Sequence, residues 1–259
     1  MRTTSQANPT IRKAFTEARV SDAMTNPTAV VLLSGGMDSA TATAIANADG
    51  FGVIGLTIDY GQRHRKELDA AKSVAKYFGV KEHRLVRLDL TPIGGSALTD
   101  RRVPIPEGRP TEEIGTGIPP TYVPARNTIF LSYALALAEA VGAKAIYIAA
   151  NSYDYAGYPD CRPEYYEAFA HVARLGTKRG VEGDPVEIRT PLIRMTKADI
   201  VRKGVELGVP WELTWSCYHG RPKACGVCDS CQLRLKGFRE AGVRDPIPYE
   251  PGRDRKTNA

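Results

Sequence analysis

The sequence predicts an α/β fold, a Rossmann-like parallel sheet with helices on both faces, plus a small cysteine-rich subdomain near the C-terminus. Three observations support this. Strand-like and helix-like segments alternate, a glycine pair follows the first strand, and four of the five cysteines lie between residues 217 and 231. Such alternation is typical of a parallel sheet covered on both faces. Ligands of such sheets bind at the carboxyl ends of the strands.

Each predicted strand is followed by a predicted helix. The last helix opens on a capping box, Thr196-x-x-Asp199, and stops at Gly208. The strands are expected over residues 29–33, 51–59, 83–90, 145–150 and 186–192, and the helices over residues 40–48, 67–78, 127–141, 163–175 and 196–207.

Length and composition predict one main domain. A chain of 259 residues that is 42% hydrophobic can bury one sizeable core, which fits one α/β domain with an appendage better than two equal domains. The expected boundaries are a flexible N-terminal extension at 1–26, the main domain at 27–210, the C-terminal subdomain at 211–245 and a flexible tail at 246–259. A net charge of +6 is only a weak sign of a nucleic-acid surface, and anionic small substrates explain it equally well.

The sequence also predicts a cellular location. No apolar stretch approaches the ~20 residues that span a bilayer, and the N-terminus lacks the apolar core of a signal peptide. We therefore expect a cytoplasmic protein, in which cysteines are more often metal ligands or free thiols than disulfides.

Residues 34–39, with the sequence SGGMDS, connect the first strand to the first helix. Two glycines let main-chain N–H groups approach a ligand, and a helix N-terminus adds unpaired donors and a partial positive charge. We therefore predict a phosphate site. The two serines add hydroxyl donors, and Asp38 beside a phosphate is explained if it holds a magnesium ion. An ordinary strand-to-helix turn is the alternative.

Residues 91–121 contain eleven glycines and prolines, too many for regular structure. A loop of this length in a compact domain is usually a lid or a binding loop. The alternative is a disordered insertion.

The cysteines after residue 216 have the spacing of metal ligands. Cys217 precedes the sequence CGVCDSC at residues 225–231, and four thiols of this kind can surround one tetrahedral zinc ion. With sulfur in all four positions, such an ion is structural and activates no water. The alternatives are an iron–sulfur cluster, a site in which His219 replaces a cysteine, and unligated core thiols.

The SGGMDS segment resembles the SGGxDS loop of the PP-loop ATP pyrophosphatases, and it differs from the P-loop and from the dinucleotide fingerprint. Those enzymes release pyrophosphate from ATP and place AMP on an oxygen of the substrate. The resemblance implies an adenylating ligase. The loop alone names no substrate, since the same signature serves amidation, thiolation and cyclisation.

Five segments in one order are similar to the 7-cyano-7-deazaguanine synthase (QueC) family. They are SGGMDS at 34–39, DYGQRH at 59–64, YVPARN at 122–127, GYPDCR at 157–162 and TWSCY at 214–218. The resemblance covers residues 29–240, and the N-terminal extension is the chief departure from it.

The resemblance implies an adenine nucleotide alpha hydrolase-like fold with a PP-loop ATP-binding domain, a small C-terminal zinc-binding subdomain and a homodimer. It implies conversion of 7-carboxy-7-deazaguanine, ammonia and ATP into the nitrile preQ0, in queuosine or other 7-deazapurine biosynthesis. Removing both carboxylate oxygens suggests a second adenylation at the same site. Free ammonia is expected as the nitrogen donor, because the chain has no room for a glutaminase domain with its own activated cysteine.

The site residues are proposed from the glycine loop, the strand ends, the cysteine spacing and the matching segments. The residues expected to hold ATP and Mg²⁺ are Leu33, Ser34, Gly35, Gly36, Met37, Asp38, Ser39, Thr41, Arg126 and Asn127. Those expected to act in catalysis are Asp38, Ser39 and Lys197, with Lys197 neutralising the departing pyrophosphate. Tyr158, Asp160 and Arg162 are expected to bind the deazaguanine, and Cys217, Cys225, Cys228 and Cys231 to bind one zinc ion.

Several of these residues have simpler roles as alternatives. Asn127 can cap a helix, Lys197 can be a solvated lysine, and Cys161 is expected to be a spectator rather than a nucleophile. At the level of the whole chain, the alternatives are a PP-loop tRNA sulfurtransferase, another adenylating amidoligase and a non-enzymatic nucleotide-binding module. The chain shows no separate RNA-binding module, and a magnesium ligand is hard to explain without turnover.

Overall fold

The structure is a computed structural model that describes residues 26–252, apart from the side chains of Tyr153, Tyr155 and Ala156. The predicted N-terminal extension, up to residue 25, and the final residues 253–259 lie outside the described residues.

Within these residues, five parallel strands form one sheet in the order β3-β2-β1-β4-β5. The central strand β1 pairs with β2 on one side and with β4 on the other. Strand order therefore reverses at β1, which opens a crevice at the carboxyl ends of the strands. The strands are β1 Thr28–Leu32, β2 Gly52–Asp59, β3 Glu82–Arg87, β4 Ala145–Tyr147 and β5 Glu187–Arg189.

Helices cover both faces of the sheet. Strand side chains alternate between the two faces, and apolar side chains on each face are buried by the helices. Val30 of β1 packs in one core, and its neighbours Ala29 and Val31 pack on the opposite side. The helices are α1 Met37–Ala48, α2 Lys66–Phe78, α3 Arg126–Val141, α4 Ser152–Gly157, α5 Pro163–Gly176, α6 Lys178–Val181, α7 Lys197–Glu206 and α8 Asp229–Glu240.

This architecture confirms the predicted α/β fold with a Rossmann-like parallel sheet. The five predicted strands and the five predicted helices are present, and the capping box at Thr196 forms as predicted. Strands β3, β4 and β5 end about three residues earlier than expected. The remaining apolar residues at 148–150 stay largely buried as they leave the sheet.

The long segment 91–121 has little regular structure but is packed against the domain. Its only helix is the 3₁₀ turn Thr91–Ile93, yet Ser96, Ala97 and Leu98 are almost fully buried. Glu107 forms an isolated bridge with Cys228 of the C-terminal subdomain. The alternative of a disordered insertion is therefore wrong.

Helix α8 fixes the C-terminal subdomain against α7. Gly237 of α8 allows this approach, since a Cβ there would lie 2.7 Å from the Cβ of Lys197. Ile247 and Tyr249 are buried against the cysteines, so the boundary that the sequence predicts at residue 245 lies inside this packed segment.

A buried ion pair connects α8 to the segment that follows it in the same subdomain. The guanidinium of Arg234 donates to both oxygens of Asp245, at 2.7 and 2.9 Å, and both side chains are at least 96% buried. Arg234 also donates to the hydroxyl of Thr214 at 2.8 Å and to the carbonyl of Trp211 at 3.2 Å. No helix in the described part of the chain is long and apolar enough to cross a membrane.

We expect the Arg234→Met variant to lose about 3–5 kcal/mol of unfolding free energy, because the Asp245 carboxylate would stay buried without its partner. Denaturant titration measures the change. The control is Lys72→Met, which breaks an exposed pair with Asp69 and should cost less than about 1 kcal/mol. Equal losses in the two variants would contradict a special role for the buried pair.

Candidate functional site

A cavity of about 260 Å³ lies at the carboxyl ends of the central strands. Its wall includes Ser34 from the loop after β1, Asp38 from the first turn of α1, Tyr60 from the loop after β2, Asp154 from α4 and Trp215 from the C-terminal segment. The cavity therefore occupies the crevice that the strand order creates.

In the SGGMDS loop, two backbone N–H groups point towards the hydroxyl of Ser39. The Oγ of Ser39 accepts from the N–H groups of Ser34 and Gly35, both at 3.2 Å, and donates to the carbonyl of Gly36 at 3.1 Å. Gly35 has a φ of +87°, and a Cβ there would collide with the backbone carbonyl of Glu67 in α2. Glycine is therefore required, and the loop presents N–H donors of the kind that bind phosphate.

Asp38 meets Lys197, which lies 159 positions further along the chain. The Nζ of Lys197 donates to Asp38 Oδ2 at 2.6 Å, and Asn151 Nδ2 donates to the same oxygen at 3.2 Å. The other oxygen, Asp38 Oδ1, is buried and has no hydrogen-bond partner among the described residues. An unpaired carboxylate oxygen fits the ligand preference of Mg²⁺.

A second carboxylate completes this cluster. Asp154 Oδ2 accepts from Asn151 Nδ2 at 2.5 Å. Burial raises the pKa of Asp154 to about 6, with a smaller rise from the Asp38 charge, and Lys197 opposes it. Burial lowers the pKa of Lys197, but the Asp38 and Asp154 carboxylates outweigh that effect, so its pKa is raised. Lys197 therefore remains a cation at neutral pH.

Arg126 brings a second cation to the cavity. Its guanidinium lies over the rings of Tyr60 and Phe130, at 5.8 and 5.9 Å from their centroids. Its Nε is buried without a partner in the described part of the chain. The preceding residue, Ala125, has a φ of +52°, an uncommon conformation that places Arg126 at the start of α3.

Asp160 and Arg162 do not line the cavity, in contrast to Tyr158. Asp160 caps α3, because its Oδ2 accepts from the N–H of Asn127 at 2.9 Å, and Arg162 is exposed to solvent. The geometry of the cavity gives no support to the substrate contacts predicted for these two residues. Tyr158 reaches the cavity, and its hydroxyl is 2.9 Å from that of Thr121.

Asn127 lines the cavity, but its amide is engaged elsewhere. Its Nδ2 donates to the carbonyl of Asp160 at 3.2 Å and to Cys161 Sγ at 3.0 Å. Burial raises the pKa of Cys161, which keeps that thiol protonated at neutral pH. This state agrees with a spectator role.

Two residues predicted to hold ATP lie beneath the loop. Leu33 is 1% exposed, and Thr41 is fully buried with its hydroxyl donating to the carbonyl of Met37 at 2.9 Å. Neither lines the main cavity, whereas Met37 does. These two side chains therefore pack beneath the loop and support it from the side away from the cavity.

Sequence reasoning missed several cavity residues. It used the DYGQRH segment only for the family resemblance and assigned no role to Asp154, His64 or Glu67, all of which line the cavity. Their position in the segments that follow β4 and β2, at the carboxyl ends of the strands, was the available signal. From the C-terminal segment, Trp215, Ser216 and Tyr218 were also missed.

The four cysteines of the C-terminal subdomain come together as predicted. Their Sγ atoms all lie within 4.8 Å of one another, and those of Cys225 and Cys231 are 3.9 Å apart. A tetrahedral zinc site with Zn–S bonds of ~2.3 Å has sulfurs about 3.8 Å apart, so the set fits such an ion. The amide of Cys228 donates to Cys225 Sγ at 3.3 Å, which favours thiolate there. His219 instead contacts Glu107 at 2.9 Å.

The cysteine subdomain also touches the phosphate loop. The N–H of Trp215 donates to the carbonyl of Gly35 at 2.9 Å. On the outer side, the ammonium of Lys66 lies 3.5 Å from the centroid of the Trp215 ring. The subdomain is therefore part of the site as well as an appendage.

Comparison with known proteins identifies relatives along most of the chain. The family model described as "Queuosine biosynthesis protein QueC" matches residues 28–242. A 7-cyano-7-deazaguanine synthase from Trichormus variabilis is 55% identical over 224 residues, which cover 86% of this chain and 99% of that protein. A synthase of the same name from Desulfatibacillum aliphaticivorans is 58% identical over 226 residues, covering 86% and 97%.

Solved structures give a more distant likeness. The NMN synthetase from Francisella tularensis aligns with 92% of this chain and 88% of its own, at 14% identity and a TM-score of 0.47, too low to bear on function. The family match, by contrast, covers both the phosphate loop and the four cysteines. The chain therefore belongs to the QueC family of queuosine biosynthesis proteins.

Proposed function

We propose that this protein is an ATP-dependent ligase that converts 7-carboxy-7-deazaguanine and ammonia into 7-cyano-7-deazaguanine. The observation that carries the proposal is the single cavity in which the SGGMDS loop meets the Asp38–Lys197 pair, in a chain whose relatives are 7-cyano-7-deazaguanine synthases. The product would serve queuosine or other 7-deazapurine biosynthesis.

Activation of the carboxylate is the first chemical task. A carboxylate resists ammonia because its leaving group would be an oxide, so one of its oxygens attacks the α-phosphorus of ATP and pyrophosphate departs. The loop N–H groups and Lys197 would bind the negative charge of the departing group, which their position at this cavity supports. A Mg²⁺ ion held by Asp38 would neutralise the phosphates.

Arg126 is better placed than Arg162 for the substrate carboxylate. It lines the cavity with an unpaired buried Nε, whereas Arg162 is exposed. The same guanidinium can neutralise the carboxylate and the α-phosphate that it attacks, which is consistent with the predicted role of Arg126 at ATP. Tyr158 is the remaining predicted contact to the deazaguanine in this cavity.

Two rounds of activation convert the acid into the nitrile, and the nitrogen enters in the first. Ammonia displaces AMP from the first adenylate and gives an amide. The amide oxygen is then adenylated, and loss of AMP with the remaining N–H protons leaves the nitrile. Two ATP molecules are therefore consumed for each acid converted.

The four cysteines are proposed to hold one structural zinc ion per chain. All four are buried, and four sulfurs leave no open position for substrate. The family resemblance further suggests a cytoplasmic homodimer. A tRNA sulfurtransferase or another amidoligase has less support, because Cys161, the one cysteine outside the cluster, is buried with a raised pKa.

Incubation of the purified chain with 7-carboxy-7-deazaguanine, ATP and ammonium should yield a product with the mass of the nitrile. AMP quantitation should give two AMP per nitrile. Glutamine in ammonia-free buffer should not replace ammonium. A single AMP per nitrile would overturn the repeated adenylation, and pyrophosphate release without nitrile would point to another ligase.

We expect Lys197→Met to lower the rate of pyrophosphate release by about 10²–10³-fold, since it removes one preorganised group that binds the developing charge. Asp38→Asn should abolish turnover while the protein stays folded with its metal bound. The control is Lys203→Met on the same helix, where the lysine contacts Glu206 on the surface. Wild-type rates in Lys197→Met would exclude the proposed role.

Cys228→Ser should yield a metal-poor, protease-sensitive protein, because a structural zinc can contribute on the order of 10 kcal/mol to a small element. Elemental analysis and limited proteolysis measure the two effects. The control Cys161→Ser should retain about one zinc per chain. A brown wild-type protein with iron and sulfide would replace zinc by an iron–sulfur cluster.

A further inference from the structure

A histidine and a glutamate form a fixed pair on the β2 side of the cavity. His64 Nε2 lies 2.8 Å from Glu67 Oε2, and Gln62 Nε2 donates to Glu67 Oε1 at 3.2 Å. Because a carboxylate only accepts hydrogen bonds, we assign the proton of the neutral His64 ring to Nε2. In the neutral ring, Nδ1 then carries a lone pair.

That lone pair has no partner in the described part of the chain. His64 is 2% exposed, it lines the cavity, and its Nδ1 is buried without a hydrogen bond. A buried polar atom without a partner is uncommon in folded proteins and calls for an explanation. An N–H group of a ligand in the cavity would satisfy it.

The surroundings hold the imidazole in one orientation. Its ring packs at 5.6 Å from the ring of Tyr218, and a Cβ at Gly220 would lie 3.0 Å from the Cα of His64. The metal-binding subdomain thus closes over His64 on one side while Glu67 holds it on the other. A base held in this way is preorganised for proton transfer.

The other titratable groups of the cavity are less suited to accept a proton. Asp154 is bonded to Asn151 and lies beside Lys197. Cys161 and Tyr60 both have pKa values raised by burial, so both keep their protons at neutral pH. His64 follows β2 on one side of β1, whereas Lys197 follows β5 on the other side.

We propose that His64 Nδ1 is the proton acceptor for the nitrogen that enters the product, and that the cavity beside it is the ammonia subsite. This inference rests on the proposed function. Ammonium predominates at neutral pH and has no lone pair. His64 takes one proton from ammonium, the free ammonia attacks the acyl carbon of the adenylate, and AMP leaves with the electrons of the broken C–O bond.

The same base serves the nitrile-forming step. After attack, the nitrogen carries three hydrogens and a positive charge, and such an acidic N–H group loses one proton to solvent without a base to give the neutral amide. In the second round, the adenylated amide loses its remaining N–H protons as AMP departs and the C≡N bond forms. Each proton passes from His64 to solvent before the next transfer, so the imidazole returns to its neutral form.

The test is His64→Gln, in which the side-chain amide can still donate to Glu67 but offers no imidazole lone pair. Three rates are measured: isotope exchange between pyrophosphate and ATP with the acid and no ammonia, nitrile formation from ammonium, and hydroxamate formation from hydroxylamine. Hydroxylamine is largely unprotonated at neutral pH and needs no base before attack. We expect exchange and hydroxamate formation near wild-type rates and a loss of about 100-fold with ammonium.

Controls separate this role from a structural one. Glu67→Gln leaves His64 in place but loosens its orientation, so it should lower only the ammonium-dependent rate, by about 10-fold. This variant also tests the proposal if His64→Gln does not fold. His171→Gln, on the exposed face of α5, should match the wild type. Loss of exchange in His64→Gln, an equal loss with hydroxylamine, or full ammonium-dependent turnover would overturn the proposal. A wild-type protein that neither exchanges nor forms nitrile would instead refute the proposed function.

Discussion

The ion pair between Asp38 and Lys197 joins the phosphate loop to the helix that carries the C-terminal subdomain. At 2.6 Å it connects the start of α1, where the phosphate loop ends, to the start of α7, which packs on the cysteine-bearing helix α8. A buried ion pair is weak evidence for stability, since desolvation offsets much of the attraction. Its effect here is positional. It fixes a cation and an unpaired carboxylate oxygen at the place where the phosphates of ATP are expected.

The cysteine-rich C-terminal subdomain extends this arrangement to the other side of the cavity. The N–H of Trp215 donates to the carbonyl of Gly35, and the ring of Tyr218 packs on that of His64. The four sulfurs lie outside the cavity, so an ion bound by them would act through the shape of the chain between residues 215 and 231. Folding of this segment therefore shapes the part of the cavity wall that Trp215 and Tyr218 form.

The sequence was sufficient for the sheet and for the phosphate loop because both depend on local patterns, namely apolar strands, helix caps and a glycine turn. It was insufficient where distant segments meet. Asp154 and His64 reach the cavity only because β4 and β2 flank β1, an order that no local pattern encodes. Asp160 and Arg162 remain untested as substrate contacts. A short 3₁₀ turn sends one to cap α3 and the other to solvent, a path that the sequence pattern did not indicate. Helix α8 was missed because its first turn was interpreted as metal-ligand spacing and Gly237 interrupts its pattern.

The close packing of Gly237 against Lys197 also affects how variants of this protein are interpreted. A methyl group added at 237 would meet the Cβ of Lys197 and move the backbone that carries the ammonium group. In a genetic screen for inactive alleles, position 237 would therefore be recovered together with Lys197 and Asp38, although a glycine offers no functional group to a substrate. Loss of activity by itself would overestimate the number of residues that touch the reacting molecules.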